Sequence, residues 1–419
     1  LCFFTGTGFS KAVTENGAPS WQGLLEDLCD LLPEADELKE SLFPDDKPSP
    51  LSLEEIAQVI SIKLTAVDKS IHEETAKLIE NIELVGKNRQ VAKFFSERQF
   101  RVVTTNYDKL AEELTGESEC QSLAPGLPIP RSSANVKVYH VHGSIDSPDN
   151  MVITSEDYFR FINGDSYFSR KLSTVLHENT VVILGYSLGD TNLKAIISDY
   201  KGFSKTHVIG SNIFLVSRSR VDQHVKDYYS HCYGIRVLDN IDIPDLFEDL
   251  NKKTPKVESI ATRSIDSIRN VVHKKYHFKE AYLKLEDSFY RIISALSAEG
   301  LSLENKRVVE VIGEVIDAKR KLTTESNAWE QYEHLARWLI YLGTILEIKG
   351  TSIEGAYLKA VLRSMNTMSN RLIIGYSWHA YKAWKHRWPS VMSSNRALIK
   401  KHVEKNTSDG DALSVVNSI

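Results

Sequence analysis

Leu1-Cys2-Phe3-Phe4-Thr5-Gly6-Thr7-Gly8-Phe9-Ser10 decides the fold. An apolar run that reads as a β-strand breaks straight into a glycine-rich turn, as a strand does when it hands the chain to a helix. The arrangement recurs three times. Phe100–Thr104 leads into Thr104-Thr105-Asn106-Tyr107-Asp108, and residues 136–141 lead into His142-Gly143-Ser144-Ile145. Residues 180–184 lead into Gly185-Tyr186-Ser187-Leu188-Gly189-Asp190. Ligands of open α/β sheets bind at the carboxyl ends of the strands. Four such strings therefore predict one rim of glycines and polar side chains, a dinucleotide site with an Asn and a His available for chemistry.

The intervals between these strings support a sheet layered with helices. Residues 21–32 have helical spacing with Ser20 as N-cap. Residues 52–97 read as mostly helical, and 107–114 and 192–200 as further helices. Short strands are expected at 151–154, 212–216 and 235–237. The alternation predicts an α/β fold, a Rossmann-like doubly wound parallel sheet with a helical insertion after the first strand. Beyond Pro255 the strand signals fade. Apolar residues recur at three and four in 308–318, 329–348 and 355–368, which predicts an all-α C-terminal domain. The boundaries read as 1–250 and 256–419, with a mobile tail after Asn406.

Composition narrows the class. An apolar fraction of 42% and a charged fraction of 26% over 419 residues are those of a globular protein. No apolar run approaches the ~18 residues of a membrane span. Leu1-Cys2-Phe3-Phe4 lacks the basic start and cleavage site of a signal peptide. The chain begins at its first strand without a Met, so further residues are expected ahead of it. Cys2, Cys29, Cys120 and Cys232 are scattered, with no Cys-x-x-Cys pair, so no zinc is expected and a reducing, cytoplasmic setting is. The net charge of −5 divides into −12 before Lys256 and +7 from there on, which hints at two parts with different partners.

Each string has two readings. Gly6 and Gly8 allow a pyrophosphate to approach the backbone, with Ser10 and nearby N–H groups on its oxygens; a tight βα turn explains them equally. The Asn106 amide both donates and accepts, which suits a ribose or a positioned water, and Asp108 can accept from a carboxamide. Capping of the next helix explains both. His142 can act as a base near neutrality, or hold structure, as expected of His72, His177, His224 and His231. His140 lies on the same strand face, deeper toward the sheet interior. Ser187 can contact phosphate or ribose, or belong to a turn.

Taken together and in this order, the strings resemble the NAD-binding domain of the sirtuins. Their wording, with Pro19-Ser20-Trp21 and Ile153-Thr154-Ser155-Glu156-Asp157-Tyr158, is similar to the sirtuin-like domains of bacterial antiphage defence proteins. The resemblance covers roughly residues 1–245. It implies an NAD glycohydrolase that releases nicotinamide and ADP-ribose and depletes cellular NAD during infection. Asn106 and His142 would be catalytic. Gly6, Gly8, Phe9, Ser10, Asp108, Gly185 and Ser187 would hold the NAD, which is substrate here. Protein-deacylating sirtuins carry a four-cysteine zinc module between the His-Gly and Gly-x-Ser strings. Here 42 residues separate His142 from Gly185 and none is Cys, which argues against a deacylase.

The remainder of the chain offers less. Residues 359–405 hold ten Lys or Arg and one Glu, interleaved with Trp378, Trp384 and Trp388. The pattern suits nucleic acid, and equally tryptophans packed between helices behind a solvated basic face. The resemblance implies a homo-oligomer and, for this layout, a HerA-like hexameric DNA-translocating ATPase as partner. Two other functions remain open: a regulatory subunit that binds NAD or ADP-ribose without turnover, and a DNA-acting nuclease component of the same kind of complex.

Overall fold

The computed structural model describes residues 1–44, 49–116, 119–129, 134–163, 167–186, 197 and 212–418. The described residues hold seven strands: β1 (Cys2–Thr5), β2 (Phe100–Thr104), β3 (Cys120–Leu123), β4 (Val136–His140), β5 (Val181–Leu184), β6 (Ile213–Val216) and β7 (Ile235–Leu238). They form one sheet in the order β3-β4-β2-β1-β5-β6-β7. β1 pairs in parallel with β2 and β5, β2 with β4, β4 with β3, and β5 with β6. All four residues of β1 are buried, as expected of a central parallel strand covered on both faces. The expected Rossmann-like sheet is thus observed. β3 was not anticipated, because Cys120-Gln121-Ser122-Leu123 has little apolar character.

Two features of the sheet place the site. From β1 the chain adds β2, β3 and β4 on one side, with β4 between β2 and β3, then returns to add β5 on the other side of β1. The strand order therefore reverses at β1 and β5, and such switch points open a crevice at the carboxyl ends. The register then aligns those ends. Thr5 sits beside both Thr104 and Leu184, and Thr104 beside His140.

The helical insertion between β1 and β2 contains Trp21–Cys29, Ala35–Leu42, Leu53–Thr65, Ile71–Ile79 and Arg89–Glu97. Ser20 caps the first of these, its Oγ accepting from Gly23 N at 3.0 Å. Ser52 and Glu55 close a capping box on the third. The apolar faces of the first four share one core with Tyr107, Met151 and Ile153, so they pack onto the loops beyond β2 and β4, while Val91, Phe94 and Phe95 of the fifth pack against Phe3 and Phe100 of the sheet.

Two expectations fail locally. Residues 151–154 are not a strand. The Ile153 and Thr154 N–H groups donate to the Asp157 carboxylate at 3.2 and 3.0 Å, so a side chain takes the bonds a neighbouring strand would need. The tail after Asn406 is ordered as a helix, Gly410–Val416, capped by Asp409 and burying Ala412, Val415 and Val416. Its apolar residues are few but share one face.

The described residues fall into two compact units. One is α/β, with residues 1–200, 213–221 and 236–254; the other is helical and includes 222–235 and 255–419. The helix Gln223–Tyr233 lies between β6 and β7 in sequence yet groups with the helical unit. There Arg396, itself buried, pairs with Asp227. The expected helices appear as Lys306–Leu322, Glu330–Ile345 and Glu354–Thr367. Trp384 and Trp388 are buried, with Trp384 Nε1 donating to Ser364 Oγ at 3.0 Å. Packing therefore accounts for those two tryptophans, while Trp378 remains half-exposed beneath Lys382. No helix among the described residues is long and apolar enough to cross a membrane.

Candidate active site

The carboxyl ends of β1, β2, β4 and β5 open on a cavity of about 710 Å³, within the range of sites for small organic ligands. Ser10, Asn106, Asp108, His142 and Gly185 all line it. Residues far apart in sequence meet because Thr5, Thr104, His140 and Leu184 end their strands in one row. The predicted rim is real. Ser187 lies outside the described residues, as does most of the helix expected at 192–200.

Three of these side chains are wired together. Asn106 Nδ2 donates to Ser10 Oγ at 2.7 Å, and Ser10 Oγ donates to Asp108 Oδ2 at 2.7 Å. Asp108 Oδ1 also accepts from Leu110 N at 3.2 Å, so this carboxylate caps the helix Leu110–Thr115 while it lines the cavity. Burial pushes the Asp108 carboxyl up from its ordinary value, against the hydrogen bonds from Ser10 and Leu110. Asn106 is only 6% exposed, and its Oδ1 is buried without a hydrogen-bond partner among the described residues. A buried acceptor left over in this way marks a place where a polar group of a ligand fits.

His142 is walled by aromatic rings, with Tyr158 and Phe161 each edge-on at 5.2 Å. Its carbonyl accepts from Val152 N at 2.8 Å. Asp157 secures the helix that carries Tyr158, taking bonds from Thr154 and His72. Burial tends to raise the Asp157 carboxyl, but those bonds hold it down at about 2. His72 thus has a structural role.

The glycines act mainly on each other. Gly185 has φ +62°, and a Cβ there would meet Phe9 N at 1.9 Å. A Cβ on Gly8 would meet the Gly185 Cα at 2.8 Å. The N–H groups of Gly6, Gly8 and Phe9 bond to Leu184 O, Gly185 O and Gly6 O at 3.1, 2.8 and 2.8 Å. Those N–H groups are therefore engaged within the protein, and Gly6, Gly8 and Phe9 do not line the cavity. The Phe9 ring stacks on Phe95 at 6.0 Å in the core. Sequence reasoning missed Thr7 and Tyr186 as lining residues, although both stand within strings already singled out.

The cavity is electrostatically one-sided. Glu54, Glu55 and Asp108 line it, and no Lys or Arg does among the described residues. Such a site favours a cation or a centre that becomes positive. Among the described residues no group of three or more His, Cys, Asp or Glu side chains is arranged to hold a metal ion.

Comparison with known proteins agrees with this geometry. A family profile described as SIR2-like domain matches residues 101–238. The chain is 35% identical over 104 residues to the NAD(+) hydrolase ThsA of Enterococcus faecium, covering 23% of this chain and 22% of that protein. It is 24% identical over 201 residues to the NAD(+) hydrolase ThsA of Cytobacillus dafuensis, covering 46% and 37%. It is 21% identical over 250 residues to the defense-associated sirtuin 2 of Bacillus subtilis, covering 58% and 23%. These alignments span well under half of each relative's own length. Residues 101–238, which run from β2 to the end of β7, are thus similar to a SIR2-like domain.

Proposed function

We propose that this protein hydrolyses NAD at its nicotinamide–ribose bond, releasing nicotinamide and ADP-ribose, and that it serves antiphage defence by depleting NAD. The observation that carries the reading is Asn106, which lines the same cavity as His142 and whose side-chain oxygen has no hydrogen-bond partner among the described residues. The names of the relatives, NAD(+) hydrolase and defense-associated sirtuin, support the substrate and the setting.

The chemistry asks little of the protein. The C1′–N bond breaks with its electron pair on the nicotinamide nitrogen, which was cationic and leaves neutral, so no acid is needed. Positive charge develops on the ribose, where the acidic lining favours it. A water oxygen bonds to C1′ and loses a proton. Asn106, held by Ser10, accepts a hydrogen bond from that water and orients it. His142, shielded by Tyr158 and Phe161, takes the proton from the water or from a ribose hydroxyl. Asp108 faces the carboxamide as an acceptor. Ser10, with Ser187, contacts the ribose and diphosphate, and Gly6, Gly8, Phe9 and Gly185 shape the start of the helix Thr7–Val13 that carries Ser10.

The same reading carries a homo-oligomer and a HerA-like ATPase as partner. The test is nicotinamide release from NAD by the purified chain, alone and with that ATPase, while light scattering gives its mass. Asn106→Ala and His142→Ala are expected to lose about 10²–10⁴-fold in rate without losing the fold. Wild-type protein that releases no nicotinamide under either condition refutes the proposal and favours a regulatory subunit that only binds the nucleotide.

A further inference from the structure

His140 ends β4 and is fully buried. Its Nδ1 lies 3.1 Å from the Asn106 carbonyl oxygen, and its Nε2 lies 2.8 Å from Glu112 Oε1. A carbonyl and a carboxylate only accept, so the ring donates at both nitrogens. Glu112 Oε1 accepts as well from Ser122 Oγ at 2.7 Å, with Lys109 Nζ 3.0 Å away. Lys109 in turn meets Asp146 at 2.5 Å. Burial works against charge on both partners, yet Glu112 keeps the His140 imidazolium favoured, and His140 with Lys109 holds the Glu112 carboxyl at about 2.

Buried ion pairs are poor sources of stability, because desolvation offsets most of their attraction. This one has a specific object. Asn106 has four polar groups. Its N–H is held by Thr104 Oγ1 at 3.1 Å, its carbonyl by His140, and its Nδ2 by Ser10. Among the described residues only Oδ1 is left over. Thr104 ends β2 and Ser10 lies on the helix Thr7–Val13 that follows β1, whereas His140 ends β4.

We propose that His140 is a positioning residue: held at Nε2 by Glu112, it fixes the Asn106 main chain through Nδ1–H and so aims the Asn106 amide at the reacting atoms. The inference deepens the hydrolase reading and rests on it for its kinetic test.

That test compares His140→Phe and Glu112→Gln with wild type in nicotinamide release, together with the ¹⁵N spectrum of the wild-type histidine rings. His140→Phe keeps the ring volume and removes both donors. Its kcat is expected to fall on the order of 10²-fold, as for a reacting group misplaced by about 1 Å, with KM changed by less than about threefold. Glu112→Gln leaves Nδ1 able to donate and loses less. In wild type both His140 nitrogens are expected to carry protons at neutral pH. A folded His140→Phe with full kcat overturns the inference, and so does a His140 ring with one bare nitrogen. If His140→Phe does not fold, His140→Gln and the ring spectrum decide. If wild type does not turn over NAD, the hydrolase reading fails separately. ADP-ribose affinity then decides: about tenfold weaker binding in His140→Phe supports positioning, and unchanged binding overturns it.

Discussion

His140 in the α/β unit and Lys319 in the helical unit are both fully buried, and they are held in opposite ways. His140 lies against a carboxylate that also engages Lys109 and Ser122. Lys319 has no carboxylate at ion-pair distance among the described residues. Its Nζ donates to Leu283 O and Gln331 Oε1 at 2.8 and 2.6 Å and stands 4.2 Å from the centre of the Trp338 ring. Burial pushes the Lys319 ammonium down to about 7. The pairing favours the charged ring and fixes its geometry, which suits a turn that carries Asn106. The isolated lysine sheds its proton near neutrality and supplies no fixed field. Charge is spent on alignment in one unit and merely tolerated in the other.

The sharpest way to break this comparison is to remove the counterion. Glu112→Ala leaves His140 buried and unpaired and is expected to cost about 3–5 kcal/mol in urea unfolding. A loss below about 1 kcal/mol would mean that the pair is no more than a surface-like contact. Glycines give a second contrast. Gly185 in the α/β unit and Gly350 in the helical unit both have positive φ, but a Cβ on Gly350 meets nothing within 4 Å. Gly350→Ala should cost about 1 kcal/mol for its backbone alone. Gly185→Ala should cost at least about 3 kcal/mol, because Phe9 N must also move. Equal losses in chemical denaturation would remove the interlock between the first and fifth strand ends.

A third contrast is the pH response. The Lys319 pKa is depressed from 10.5 to about 7 on folding. Its stabilisation is present above 10.5 and is lost as pH falls toward 7, by at most about 1.4 kcal/mol per pH unit. The His140 pKa is raised above 6.5, so its contribution is complete below 6.5 and lost as pH rises through the raised value. That of Glu112 is present above 4.5 and lost as pH falls toward about 2. The pair is therefore strongest between those two ordinary values, and raising the pH above neutrality shifts the two contributions in opposite directions. Unfolding at a series of pH values should show Lys319→Met flattening one slope and Glu112→Gln the other. Unaltered slopes would separate these groups from the response.

Much of the α/β fold was legible because strands and helices leave local periods, and because Gly185 and Asn106 stand where a strand must turn. The segment 151–154 was misread because its N–H groups go to Asp157, a choice the apolar pattern does not encode. The ordered tail was missed because Ala412, Val415 and Val416 gain meaning only against a core built elsewhere.

The sequence alone determined the sheet class, the helical second part and the strings that end on one rim, since each depends on residues close in the chain. Only the tertiary structure decided what those residues do to one another. It turned Gly6 and Gly8 toward Gly185 rather than toward the cavity, took Trp384 and Trp388 into a core, and placed Glu112, His140 and Ser10 around Asn106. Those contacts join residues 28 to 96 positions apart, and local pattern carries no record of which distant side chain will occupy the facing place.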